Sequence, residues 1–438
     1  MEFNRKERAR KERPRKERAS GTAALTVASL GLATDALVYG MAVPVLPKLA
    51  SDHGTRPLGV GLMFAVYAGA LVAATPVAGL WVDRKGNRRP LLAGVLGLVA
   101  ATLLFAFVRD PALLVVARGL QGAAAGVVWT AGLALVAATH APRERGKAMG
   151  IALSSFAIGT LVGPPLGGLL ADWLDPRAPF LLAAAVALAD GVARWFLVPP
   201  DTVRERRGRL AEIRGRRGLA RVVVLTATGA ALIAFLEPVL PLHLFTTENA
   251  GSGAVGVVFG VAGVVAAVAP PLAGTALRRV APGTVAAAGC LLAAAAMLAL
   301  GALHGVVPIA VGLALVTFGA SMVLTPTVTV MSEIAEAGQP PAYGSVYALY
   351  TLAYTGGLTV APLGAGWSMQ SLGFGGATRV AAGVAVAVAL LLLVRGRLGP
   401  GGVSAGAPSD AEAGAPATAS PADPPANTET PSGIHRSA

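Results

Sequence analysis

Charge is what this sequence has least of. Only 13% of its 438 residues are Asp, Glu, Lys or Arg, roughly half the share found in a water-soluble chain. The charge that exists gathers at the N-terminus and in a few short loops, leaving long apolar stretches between them. An ordinary soluble enzyme is thereby excluded. Cysteine is nearly missing: Cys290 stands alone, so there is no intrachain disulfide framework and no multi-cysteine metal site. The five histidines, His53, His140, His243, His304 and His435, are scattered without ligand spacing, and no Walker-type phosphate loop occurs. No metal and no cofactor is therefore expected. Alternation of polar and apolar residues is also lacking, which excludes a transmembrane β-barrel.

What is abundant is apolar. Hydrophobic residues make up 54% of the chain, and mean hydropathy is +0.65. A hydrocarbon core of about 30 Å needs an apolar helix of about twenty residues. Such windows fall near 22–47, 58–82, 91–108, 112–138, 147–171 and 178–198, then 222–246, 254–276, 283–303, 307–333, 343–367 and 375–395. The expectation is an all-α membrane protein of twelve spans. Residues 1–21 form a basic tail with nine Lys or Arg against four Glu, a net +5 through Arg18. Alternate loops continue the excess: Arg84, Lys85, Arg88 and Arg89, then Arg143, Arg145 and Lys147, then a connector, 201–221, holding eight arginines between Arg204 and Arg221. The loops between these carry chiefly Lys48, Arg56, Arg109 and Arg177. Basic loops stay in the cytoplasm, so both termini are expected there. The basic tail reads as an orientation signal lying against anionic lipid, rather than as an arm for nucleic acid or a cleaved leader. Residues 399–438, rich in Pro, Ala, Gly and Ser, read as a disordered cytoplasmic tail.

The chain repeats itself. Pro44-Val45-Leu46-Pro47 returns 194 residues later as Pro238-Val239-Leu240-Pro241. Gly163-Pro164-Pro165-Leu166-Gly167-Gly168 has a weaker echo 198 residues on, at Ala361-Pro362-Leu363-Gly364-Ala365-Gly366. Two bundles of six spans, 22–200 and 222–398, follow from this, a layout used by secondary transporters that rock around a midplane site.

Several motifs resemble those of the major facilitator superfamily. Gly79-Leu80-Trp81-Val82-Asp83-Arg84-Lys85-Gly86-Asn87-Arg88-Arg89-Pro90 is similar to its signature between spans 2 and 3, and Arg118-Gly119-Leu120-Gln121-Gly122 to its span-4 arginine motif. Gly159 through Gly168 resembles the span-5 motif of its proton-coupled drug exporters. Glu144 through Leu153, Ile233-Ala234-Phe235-Leu236-Glu237-Pro238 and Tyr343 through Ala348 are similar to vesicular monoamine transporters and their bacterial multidrug relatives. The resemblance implies a major facilitator fold, gating by Asp83, Arg84 and Arg88 at the cytoplasmic side, and a part for Arg118 in proton movement. It also implies differences: the monoamine carriers pair a span-2 lysine with a span-11 aspartate, where this chain has Tyr67 and Thr351, and their span-1 asparagine is Ala36 here.

An ionised side chain at the centre of a bilayer costs about 2.5–3.5 kcal/mol on insertion scales, so each one asks for a reason. Asp35 lies midway along span 1, Asp190 in span 6, Glu237 in span 7 and Glu333 toward the cytoplasmic end of span 10. Burial favours the neutral form of a carboxylic acid and a nearby cation favours the charged form. One such acid is thus discharged by a proton or by a cationic cargo in alternation. Asp35, Glu237 and Glu333 are the candidate substrate and proton sites, the resemblance assigning amine contact to Asp35. Arg194 follows Asp190 by four residues, the order that favours a structural ion pair. Aromatic faces hold cations, and Trp129, Phe235 and Tyr354 are candidates for that, with Tyr39, Tyr67 and Tyr350.

The leading expectation is a monomeric, proton-driven exporter of cationic or amphipathic aromatic small molecules in the cell membrane of a bacterium with a GC-rich genome. Its partners would be that cargo, protons and lipid, and no nucleic acid. A major facilitator carrier of a neutral or anionic metabolite, a proton symporter among its forms, is the nearest rival. A membrane-embedded enzyme or a non-transporting receptor belongs to other classes and leaves several intramembrane acids unexplained.

Overall fold

A computed structural model describes residues 2–108, 110–140, 142–197, 218–336 and 343–395. Most of the basic connector and the tail from 399 lie outside them, as do the side chains of residues 2–20. Among the described residues every regular element is an α-helix. In chain order these are α1 (Glu2–Asp52), α2 (Pro57–Lys85), α3 (Arg88–Phe107), α4 (Pro111–Thr139), α5 (Pro142–Trp173) and α6 (Ala178–Leu197), then α7 (Leu219–Thr246), α8 (Ser252–Ala276), α9 (Pro282–Leu300) and α10 (Val306–Glu336). The last helix runs without a loop over Tyr343–Arg395, 53 residues. A straight helix of that length would extend about 80 Å, far beyond the membrane. Gly373, at φ 71° and ψ 179°, divides it into α11 (343–372) and α12 (374–395). Twelve apolar helical segments therefore stand where sequence places twelve spans. The loop expected between the last two is a single residue, because glycine alone enters positive φ at little cost.

Local chemistry starts and sustains these helices. Pro57, Pro111 and Pro282 open α2, α4 and α9, where a missing N–H is no loss. Asp110 caps α4, its Oδ1 accepting from the N–H groups of Ala112 at 2.8 Å and Leu113 at 3.1 Å. Inside the spans hydroxyls bond back one turn, as Thr317 does to the Leu313 carbonyl and Ser321 to that of Thr317, both at 2.9 Å. This pairs those two hydroxyls in a medium without water.

Helices α1–α6 pack among themselves: α1 lies on α4, α5 and α6, and α4 on α2 and α3. In the second set α10 packs on α7, α8 and α9. The two sets meet along α5–α8 and α2–α11. Glycine makes the closest approaches possible. A Cβ on Gly163 of α5 would lie 2.9 Å from the Gly40 Cα of α1, and one on Gly366 of α11 would lie 2.6 Å from the Pro57 carbonyl of α2. The glycine motif of span 5 is thus a backbone-to-backbone seam.

The two ends of the molecule differ. Away from the basic loops, one apolar cluster joins Val45 and Leu46 of α1 and Phe64 of α2 to Leu242 of α7, with Phe259 of α8 and Met369 of α11 against it. The Lys48 ammonium sits 5.7 Å over the Phe245 ring in the same region. At the basic end the described clusters are separate. Ala24, Val27, Leu91 and Leu135 belong to one set, and Val222, Val330, Met331 and Ile334 to the other. The sets are therefore joined at the end opposite the basic loops.

At that same end Glu248, between α7 and α8, accepts from the Gly305 N–H at 2.8 Å and lies 3.2 Å from His304 Nδ1. These bonds hold its carboxyl below the usual carboxylate range, since they favour the charged form. A depressed folded value means the tie stabilises above the unfolded pKa, about 4.3, and is lost as pH falls through the lower folded one. Glu248→Gln should therefore lower the thermal midpoint in detergent at neutral pH. The difference from the parent should shrink below pH 4; a pH-independent difference would contradict the tie.

Candidate functional site

Midway along the membrane-spanning part of α1, Asp35 and Tyr39 stand one turn apart on one face. Asp35 is 3% exposed and its Oδ1 accepts from the Tyr67 hydroxyl of α2 at 3.4 Å. Tyr39 donates to Glu237 Oε2 of α7 at 2.5 Å, a bond between the two helix sets. The two tyrosine rings lie 4.9 Å apart. Beside them Arg118 of α4 is wholly buried. Its guanidinium carbon is 5.5 Å from the centroid of Tyr39, 5.1 Å from Phe64, 5.4 Å from Tyr67 and 5.6 Å from Phe105. Nη1 donates to Gln121 Oε1 at 2.8 Å, and Gln121 in turn donates to Thr102 at 3.3 Å. Nε and Nη2 have no hydrogen-bond partner among the described residues. Desolvating a guanidinium costs several kcal/mol, which the four ring faces, the Gln121 oxygen and the field of Glu237 together offset.

The expected residues divide. Asp35 and Glu237 come together with Arg118 at the centre, while Asp83, Arg84 and Arg88 stand at the α2–α3 turn. There Asp83 is half-buried and Arg84 exposed. Arg88 reaches α6, donating to the Trp195 carbonyl at 3.0 Å and lying 5.5 Å over its ring. Glu333 is exposed, three residues from the end of α10, and the structure does not bring it to the pair. Phe235 packs in the apolar core of α7–α12, so its ring is enclosed by aliphatic neighbours. Trp129 stands edge-on to Phe156 at 5.1 Å, and Tyr354 stacks on Tyr350 at 6.3 Å; all four are half-buried. Asp190 and Arg194 form their ion pair, Nη2 to Oδ2 at 2.8 Å, with the guanidinium wedged against Gly31 of α1. Tyr39 and Tyr67, read as cation-holding faces, also act as donors to the two acids. The span-2 position that is lysine in monoamine carriers thus carries a phenol that bonds Asp35.

The Major Facilitator Superfamily model matches residues 28–340. The chain belongs to the major facilitator superfamily. It is a multi-pass membrane carrier and not an enzyme. Among similar proteins is the probable vesicular acetylcholine transporter-B of Danio rerio, 29% identical, the match covering 80% of this chain and 74% of that one. The synaptic vesicular amine transporter of Bos taurus is 30% identical over 75% of this chain but only 64% of its own length. A bacterial homolog of the human lysosomal transporter Spinster, inward-facing and unoccupied, superposes with TM-score 0.70 at 13% identity, covering 86% of this chain and 95% of that one. The human organic anion transporter TETRAN superposes at 0.61 with 21% identity, covering 85% and 99%. Both structures share the major facilitator fold.

Removing the Tyr39 hydroxyl would leave Glu237 without its donor. Tyr39→Phe should cost about 1–3 kcal/mol of stability, read as a lower thermal midpoint of the purified protein. An unchanged midpoint would show that the bond between the two sets adds nothing.

Proposed function

We propose that the chain exchanges protons for cationic or amphipathic aromatic small molecules by alternating access, and exports them from the cell. The observation that carries this is a charge deficit: two acids, Asp35 and Glu237, are each bonded by a tyrosine whose ring faces the permanent cation Arg118, while Arg194, the cation nearest Asp35, is already matched by Asp190. With both acids ionised the cluster holds one uncompensated negative charge. A single proton or a single monovalent cation removes it, and each makes the other superfluous. That exclusion is what couples two opposed fluxes. Inward proton movement supplies about 2.3 kcal/mol per 100 mV and about 1.4 per pH unit, so no chemical cofactor is needed.

Aromatic faces at Tyr350, Tyr354, Trp129 and Phe156 suit an amphipathic cation. The printed names of the amine and acetylcholine carriers point the same way. If the basic loops face the cytoplasm, the joined end lies outside and the molecule is open inward, ready to load. Asp83, Arg84 and Arg88 would then engage the second set only after closure on the cytoplasmic side. A carrier of anions would use the unpaired N–H groups of Arg118. These are sealed behind aromatic rings at zero exposure, which favours the cation.

A dye-quench assay in proteoliposomes, run against a panel of organic cations, tests the proposal. Asp35→Asn should abolish cation-driven proton release while the protein stays folded, and retained exchange would overturn the assignment. Glu237→Gln should weaken cationic cargo by more than tenfold relative to neutral cargo of similar shape. Equal loss for both would show that the carboxylate is no charge partner.

A further inference from the structure

Just beyond the glycine seam of α5 stands an acid that no motif marks. Asp172 divides its two carboxylate oxygens between the first two residues of α8: Oδ1 accepts from the Ser252 N–H at 2.9 Å and Oδ2 from the Gly253 N–H at 2.7 Å. The first N–H groups of a helix have no partner within it. Gly251, at the N-cap of α8, has no side chain to serve them. A residue of α5 therefore does for α8 what a capping side chain does, and does it from the other helix set. The negative charge also meets the positive end of the α8 dipole.

The surroundings fit this contact. A Cβ on Gly251 would lie 2.6 Å from Asp172 Oδ2, and one on Gly253 3.0 Å from it, so both positions leave room for the carboxylate. One turn earlier in α5, Gly168 backs onto the Ser252 carbonyl, and Gly256 of α8 backs onto that of Pro164. The two helices touch backbone to backbone at the closed end. That end cannot part while the carboxylate keeps both bonds.

We propose that Asp172 is a positioning residue for transport: it caps α8 while this end is closed, lets go in every opening, and so sets the balance between the two access states. The proposal rests on the alternating-access reading, yet involves neither Asp35 nor Glu237.

Distances between nitroxides test it in lipid nanodiscs. The labels go on Leu174→Cys beyond α5 and Ala302→Cys beyond α9, both exposed at the closed end, with Cys290→Ala removing the native thiol. Asp172→Ala should shift the population toward the longer, open distance on the order of tenfold, the scale of two charge-assisted bonds to exposed groups. Asp172→Asn should give a smaller shift. Ser252→Pro removes one donor from the opposite side without losing the helix: Ser252 follows the N-cap, where proline is tolerated. Gly251 already has the extended backbone, φ −76° and ψ 166°, that precedes a proline. The same direction of shift is expected, and this variant decides the matter should Asp172→Ala fail to fold. In transport, Asp172→Ala should change the maximal rate while cargo affinity at the inward-open site stays as in the parent. Unchanged distance populations in the folded variants would overturn the proposal. If Asp35→Asn keeps its exchange activity while the label distances shift, the latch stands and the coupling assignment falls.

Discussion

A guanidinium that cannot lose its proton, held where water cannot reach it, is the constraint around which the centre of this molecule is arranged. Arg118 has neither solvent nor a bonded carboxylate to offset its desolvation. Four aromatic rings, one amide oxygen and the field of Glu237 do so instead. Each contribution is small beside the several kcal/mol of desolvation, so the arrangement works only as an ensemble. The two phenols are the hinge of it: each lends its ring to the cation and its hydroxyl to an acid. Changing the charge on either acid therefore changes the balance for Arg118 as well.

The second consequence is mechanical. Tyr39 is on α1 and Glu237 on α7, so the cluster bridges the two helix sets near the place where they are joined. Its charge state and the contact between the sets are thus linked through one hydrogen bond. The α5–α8 seam, with its glycine contacts and its borrowed cap, holds the same end closed by wholly different means. The two contacts differ in kind: one joins titratable side chains, the other caps a helix and packs backbone against backbone.

The departures from the monoamine carriers are coherent in this light. Where the resemblance implies a lysine and an aspartate, the chain has Tyr67 and Thr351, so neither leaves an orphan buried charge. Tyr67 also takes over a donor's part toward Asp35. Arg118 already places one cation against the Tyr67 ring, and a lysine at position 67 would add a second.

Composition and spacing alone were sufficient for the class of protein, the twelve apolar segments and the Asp190–Arg194 pair, because each depends on residues near one another in the chain. Hydropathy counts carbon against charge over twenty residues, and an i,i+4 pair needs only helical geometry. What sequence could not reveal is which face of each helix meets which neighbour. In lipid both faces are apolar, so the periodicity that marks the inner side of a soluble helix is missing. Hence the rings around Arg118, the enclosure of Phe235, the distance of Glu333 from the two bonded acids and the reach of Asp172 to α8 were not legible. Only the packing of helices far apart in the chain decided those, since a hydrogen bond of 2.5–3.4 Å depends on distances between helices that no local pattern records.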